Sequence, residues 1–269
     1  MTCTFNERVG LSVSSLARCN ILESLNEIWS MGFRSTMVMP YDKRAKHSLG
    51  HFATLNFYDI SDKERKLLKE CLSKFSHVSL HQSWDSDWRR WLECASYIGA
   101  EVVTIHSSLV PRSQAVKLFR EIGTCARALG LKVGIENDGD SVLNYLSLIK
   151  RVNHPLVGAT LDVGHCAFFQ EVLAVKNLSR RKRILNNVIC NLIKKLGLKL
   201  FLLHVHNVDP FKWIDHRSLP RGAINFHAVI KALVEIEYEG FFIIELEEPD
   251  SREKALESGK FLTELLSNI

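Results

Sequence analysis

Leu161-Asp162-Val163-Gly164-His165, entered through Val157-Gly158-Ala159-Thr160, decides how this chain is read. The apolar run delivers a carboxylate, and three residues later an imidazole follows. A strand that ends here presents both groups at its carboxyl end, where α/β proteins place their chemistry. The pattern recurs: Val133-Gly134-Ile135 leads into Glu136, Leu202-Leu203 into His204 and His206, Phe242-Ile243-Ile244 into Glu245, and Val102-Val103-Thr104-Ile105 into His106. Apolar strands that each finish in a carboxylate or a histidine imply one site assembled from many strand ends.

Working outward, strands alternate with helices. Val9 to Val13 alternates as a short strand, and Ile21 to Met31 carries apolar residues at helical spacing with Gly32 as its stop. Ser35 to Pro40 is the second strand. Residues 41–60, with Lys43, Arg44, Lys46, His47 and His51, form a long connection able to cover a site. Asp62 caps the next helix, whose stripe is Leu67, Leu68, Cys71, Leu72 and Phe75. Val78 to His81 is a strand, and Ser86-Asp87 starts a helix that stops at Gly99. Strand Glu101 to His106 precedes a helix from Ser113 to Leu129. Strand Leu131 to Glu136 precedes the turn Asn137 to Asp140 and a helix to Val152. After the opening stretch come a second long connection, 166–179, and a helix from Arg180 to Leu196. Strand Leu198 to His206 enters a charged, aromatic loop, Asp209 to Gly222. Helix Asn225 to Ile236, strand Phe241 to Leu246 and a helix opened by Ser251 complete the series.

Strict alternation makes each helix a crossover between parallel strands. Eight such units close into a (β/α)8 TIM barrel, expected here as one domain over residues 1–269. An open doubly wound sheet would call for a glycine-rich phosphate loop after strand one. Val9 to Leu16 contains a single glycine, and neither GxGxxG nor GxxxxGK[ST] occurs.

The 269 residues, 46% hydrophobic and 24% charged, are enough for a full core, and a net charge of +5 is mild. Seven cysteines, an odd number without a CxxC pair, read as buried reduced thiols of a cytoplasmic protein. Cys166, beside His165, has a secondary reading as a soft ligand or nucleophile. No run approaches the roughly 18 apolar residues of a membrane span, and no basic, then apolar, leader is present.

In a barrel, His81, His106, Glu136, Asp162 with His165, His206 and Glu245 converge on one face, and the loop after strand seven adds His216. Three carboxylates together repel one another unless a cation lies among them. With imidazoles beside them, a divalent metal is the economical solution, and oxygen and nitrogen donors suit Zn, Mn, Co or Mg. His204 points the same way as His206 but one step deeper, so His206 is assigned to the metal and His204 to the core around it.

Val133-Gly134-Ile135-Glu136-Asn137, Leu161 to His165, Val205-His206-Asn207-Val208-Asp209, His216 before Gly222 to Phe226, and Phe242 to Glu245 resemble the xylose isomerase-like TIM barrels. That superfamily joins sugar and sugar-phosphate isomerases and epimerases with the apurinic/apyrimidinic endonuclease IV family. The resemblance implies that Glu136, Asp162, His206 and Glu245 hold the metal. It further implies that Glu136 and Glu245 are the acid/base pair, and that His165, His81, His106 and His216 face the substrate. The implied reaction is isomerisation or epimerisation of a small sugar, sugar phosphate or related polyol. The metal acidifies the proton beside a carbonyl and stabilises the enediolate.

The endonuclease branch is the alternative, with abasic DNA as substrate, because His81, His106 and His216 match its additional zinc ligands. Against it, Ile214 stands where that branch has Asp, Asp215 directly precedes His216, and Pro220 replaces the first glycine of the H-x-x-x-G-x-G turn. A barrel that binds metal and ligand without turnover is the third reading. Lys212, Arg217 and Arg221 are candidate phosphate contacts. Arg180-Arg181-Lys182-Arg183 reads as an exposed basic face that could meet nucleic acid only if it lies at the rim.

Overall fold

The structure is a computed structural model that describes residues 5–16, 20–39, 57, 60–82 and 87–268. The long connection read at 41–60 lies almost wholly outside the described residues, as do Pro40, Ser86, Cys3 and Cys19.

Eight parallel strands close into a barrel in sequence order. They are β1 (Val9–Ser12), β2 (Ser35–Val38), β3 (His77–His81), β4 (Val102–His106), β5 (Lys132–Glu136), β6 (Val157–Asp162), β7 (Leu200–Val205) and β8 (Phe242–Ile244), with β8 paired back to β1. The helices are α1 (Ile21–Ser30), α2 (Asp62–Leu72), α3 (Trp88–Ile98), α4 (Arg112–Ala128), α5 (Val142–Val152), α6 (Gln170–Leu173), α7 (Leu178–Leu196), α8 (Phe226–Glu235) and α9 (Ser251–Ser267). The short α6 was not expected; it lies in the second long connection.

Alternation along the strands divides them into two faces. Leu11, Leu80, Val103, Ile105, Val133, Ile135, Leu161, Val205 and Ile244 belong to the large core that packs against the helices. The other phase forms a separate cluster of Met37, Val102, Leu202, Phe241 and Ile243 within the barrel. Above that plug the same phase turns small and polar. Thr104 and Thr160 share a hydroxyl hydrogen bond at 2.9 Å, and Gly134 has no room for a β-carbon, which would stand 2.0 Å from the Thr160 hydroxyl. One step further along this phase come the predicted site residues. Barrel closure therefore carries them to a common mouth.

Three of the boundaries that differ from the sequence reading have a local cause. Ser61, not Asp62, caps α2: its side chain accepts from the Glu64 amide while Glu64 returns to the Ser61 amide, a reciprocal capping box. Leu198 lies in a 3-10 turn before β7 and is 92% exposed. Asn177 starts α7 at Leu178, ahead of Arg180. Among the described residues, no helix is long and apolar enough to cross a membrane.

Candidate metal centre

β4 and β5 place His106 opposite Glu136, and β6 and β7 place Asp162 opposite His204. The second pairing depends on a register shift between Ala159 and Thr160. Their partners are Leu200 and Leu202, so Phe201 is skipped and His204, rather than Leu203, comes to face Asp162.

Glu136 is buried and met by three imidazoles. Nε2 of His81 and of His106 lie 3.0 and 2.8 Å from its Oε2, and Nδ1 of His204 lies 2.6 Å from its Oε1. The same His204 nitrogen is 3.4 Å from Glu245. Asp162, fully buried, accepts the His165 amide at 2.7 Å, and His206 Nε2 stands 2.9 Å from its carboxylate. His165 Nδ1 faces the Asn137 carbonyl at 3.1 Å, so its proton is on Nδ1 and its Nε2 is left toward Asp215, 4.0 Å away. His206 and His216 stack with ring centroids 4.0 Å apart.

His81, His106, Glu136, His165, His216 and Glu245 line one cavity of about 160 Å³ together with Ser14, Met39, Leu246 and Glu247. All four histidines expected at the substrate are thus at the cavity wall. The expected metal set is divided. Glu136, Asp162, His204 and Glu245 bring ligand atoms within 4.8 Å of one another, whereas His206 groups with Asp162, His165 and His216. His81, His106 and Glu136 form a third such group.

Charge in this interior is mutually compensated. Burial pushes the Glu136 carboxyl up, yet the charges and hydrogen bonds of His204 and His106 hold it well below the ordinary range. Burial likewise opposes ionisation of Asp162, and His165 and His206 outweigh it, leaving the group below its usual value. Burial pulls His204 down, but Glu245 and Glu136 push it up to about 9. His216, beside Asp215, is pushed up to about 10 against its burial.

Buried carboxylates in such number require positive charge between them. Imidazolium protons supply it, and a divalent cation would supply it with those protons released. An ion about 2.1 Å from each donor spans ligand pairs up to about 4.2 Å apart, so small side-chain rotations within the 4.8 Å group would accommodate one. Nε2 of His204 is also buried without a hydrogen-bond partner. The donor set therefore fits a divalent ion.

The loop after β7 serves two faces. Trp213 and His216 adopt positive φ, and the His216 ring enters the cavity while Phe211 is exposed. Arg181 covers the Trp213 ring and Lys182 the Phe211 ring, so the basic run at the start of α7 borders this mouth loop. Asp215 lies 3.4 Å from His216, while Ile214 is exposed. The one-residue offset from the endonuclease pattern therefore does not remove a carboxylate from His216. Asn207, to which the sequence reading gives no role of its own, is buried and binds the loop by accepting from the Val208 and Ile224 amides and donating to the Leu219 carbonyl.

The family model described as xylose isomerase-like TIM barrel matches residues 30–265. The chain is 25% identical over 235 residues to an uncharacterized protein of Methanocaldococcus jannaschii, MJ1311, covering 81% of this chain and 69% of that protein. Among solved structures, an L-ribulose 3-epimerase is similar with a TM-score of 0.72 at 13% identity, over 97% of this chain and 94% of that one. The IolI protein with a binding zinc atom has a TM-score of 0.67 at 16% identity, over 97% and 98% of the two chains. These likenesses concern the fold. With the family match running from α1 to α9, the chain belongs to the xylose isomerase-like TIM barrel family.

Proposed function

We propose that this protein is a divalent-cation-dependent isomerase or epimerase of a small sugar, sugar phosphate or related polyol. The observation that carries the reading is the convergence of Glu136, Asp162, His204 and Glu245, two of which line a small cavity at the barrel mouth. Glu136, Asp162 and Glu245 would hold the cation, with His206 as the resemblance implies, and His204 brings a second imidazole nitrogen into the same group of donors. When bound, the ion would polarise a carbonyl and an adjacent hydroxyl and so acidify the C–H between them. Glu136, held in its carboxylate form, removes that proton, and Glu245, across His204, returns one. His165, its Nδ1 tied to Asn137, offers Nε2 to a substrate hydroxyl. The L-ribulose 3-epimerase that shares the fold supports a sugar substrate, and the zinc of IolI supports a metal.

The test is solvent exchange: ketoses and polyols, with and without phosphate, are incubated in D2O with added Zn, Mn, Co or Mg and followed by NMR. Metal-dependent incorporation of deuterium at the carbon beside a carbonyl is expected. No exchange with any substrate or metal would overturn the reading.

A second reading, zinc-dependent cleavage of abasic DNA, is favoured by the two further histidine groups, which share Glu136 and Asp162 with the first, and by the approach of Asp215 to His216. Three zinc ions per chain by elemental analysis, with nicking of an abasic duplex, would establish it over the isomerase.

A further inference from the structure

We propose that the groove between α4 and α5 is a second binding site, separate from the cavity at the barrel mouth, and that it takes a neutral polyhydroxylated molecule, a sugar or polyol.

The groove exists because the two helices are pinned at two levels and part between them. Toward the C-terminal end of α5, the Arg120 guanidinium donates to the carbonyls of Val152 and Arg151 at 2.9 and 2.7 Å. At the mouth end, the loops that lead into the helices are clasped. The Ser107 hydroxyl donates to one oxygen of Asp138, and the Ser108 amide donates to the other at 2.8 Å. Between these pins Ala115 of α4 is too short to fill the gap. The result is a cavity of about 660 Å³, against about 160 Å³ at the mouth. Pockets of about 300–1,000 Å³ are the size that holds small molecules. No described residue lines both cavities. His106 and Glu136 face the mouth, while Ser107 and Asp138, just beyond them in the chain, face the groove, so the clasped loops form the wall between the two.

The chemistry of the groove selects the class of ligand. Asn144, Ser147, Leu148 and Arg151 form one stripe of α5 that follows the groove for about 10 Å at 1.5 Å per residue. Charge along it balances. Arg112 pairs with Asp140, which also accepts from Asn144 Nδ2 at 3.1 Å, and Arg151 matches Asp138 in number and opposes it in sign. An anion drawn to either arginine meets a carboxylate as well. Among the described residues, the Asn144 Oδ1, the Arg151 guanidinium and the hydroxyls of Ser108 and Ser147 have no hydrogen-bond partner. The first accepts, the second donates, and the hydroxyls do both. A ligand hydroxyl also does both, so a molecule bearing several satisfies this mixture while its C–H face rests on Leu109, Val110 and Leu148. Tyr145 contributes only its ring, because its hydroxyl donates toward the carbonyls of Ile135 and Thr160 at 2.8 and 3.1 Å. Nothing in the groove calls for a cation, so this site stands separately from the cation reading above.

The experiment records saturation-transfer NMR on the full chain in EDTA with D-fructose, D-xylose, xylitol and sorbitol, and repeats it with equimolar inorganic phosphate as competitor. Wild type is compared with Ser147→Trp, which sets a large ring in the groove at a side chain that bonds nothing, with Arg151→Ala, and with Glu245→Gln at the mouth. The expected result is transfer to at least one of these compounds in wild type and in Glu245→Gln, loss of it in Ser147→Trp, affinity lowered about 2–10-fold in Arg151→Ala, and no displacement by phosphate. Should circular dichroism show Ser147→Trp unfolded, Arg151→Ala carries the test. Absence of transfer to every compound overturns the proposal, and so does unaltered transfer in Ser147→Trp. Loss in Glu245→Gln instead would put the sugar at the mouth and overturn it as well. Displacement by phosphate would overturn the neutral class. Each of these results leaves metal-dependent deuterium exchange untouched, so the two readings fail separately.

Discussion

Gly164 lies directly against the imidazole of His206, in space that no side chain can share: an added β-carbon would stand 1.9 Å from Cε1 and 2.2 Å from Nδ1. The ring cannot retreat, because His216 stacks on it and the His216 amide holds Nδ1. Gly164→Ala is therefore expected to keep the barrel while displacing His206 from Asp162. Overpacking of this kind costs about 1–3 kcal/mol. Urea unfolding measures that loss, and cation titration should show weakened binding. A variant with unaltered stability and affinity would mean that the ring has freedom the packing denies it.

Glu136 and Glu245 differ in their surroundings, and their variants should differ accordingly. Glu136 anchors three imidazoles, whereas Glu245 is 8% exposed, borders the cavity and approaches His204 at 3.4 Å. Removing a proton-transfer group costs about 10²–10⁴-fold in rate. Glu136→Gln and Glu245→Gln are both expected to lose exchange into D2O by that factor, and Glu136→Gln to lose more cation affinity. Exchange by Glu245→Gln within a few-fold of wild type would remove Glu245 from the proton-transfer pair.

The barrel was legible because the strands from β3 to β8 repeat one physical pattern, with alternate residues facing helices and the other phase ending in polar groups. Placing His106, Glu136, Asp162 and Glu245 at one mouth required only that periodicity and closure. Placing His204 and His206 relative to Asp162 required more, because both share a phase. What separates them is the skipped Phe201 in the β6 to β7 register, which brings His204 opposite Asp162. Neither strand's own sequence specifies a pairing slip. The loop-holding role of Asn207 is not local to its motif: its four hydrogen-bonding neighbours are backbone groups up to 17 residues away, so the sequence around it does not show what it binds. The Ser61 cap is legible in the sequence, since Ser61-Asp62-Lys63-Glu64 spells a capping box in which Ser61 and Glu64 satisfy each other's amides and Asp62 is already the first helical residue.

Thiol burial gives a pH dependence remote from the cavity. Cys94 is fully buried in α3, and burial alone pushes its thiol far up; burial also raises Cys71 and Cys190. In the unfolded chain a thiol titrates at about 8.5. The folded state then binds more protons than the unfolded state above that value, so stability falls as pH rises. The urea midpoint should drop between pH 7.5 and 9.5, and Cys94→Ala should lessen that drop. An identical slope in Cys94→Ala would refute the assignment.

Asn207 provides a test of how the mouth loop is held. Its side chain accepts from the amides of Val208 and Ile224, each at 2.9 Å, and donates to Leu219 at 2.8 Å and Ile224 at 3.5 Å. Gly222 packs against it so closely that a β-carbon there would sit 2.1 Å from Oδ1. The segment thus bound carries Asp215 and His216 to the cavity. Asn207→Ala would leave buried backbone groups without partners, at a cost of about 2–3 kcal/mol. Asn207→Asp keeps the acceptor and loses the donor, so it should fall between wild type and Asn207→Ala. Urea unfolding ranks the three proteins, and limited proteolysis within residues 209–222 should quicken in the same order. If the loop of Asn207→Ala resists protease as wild type does, then the short contacts between the loop and the segment that follows β8, such as the Glu247 amide to the His216 carbonyl at 3.0 Å, suffice to hold it.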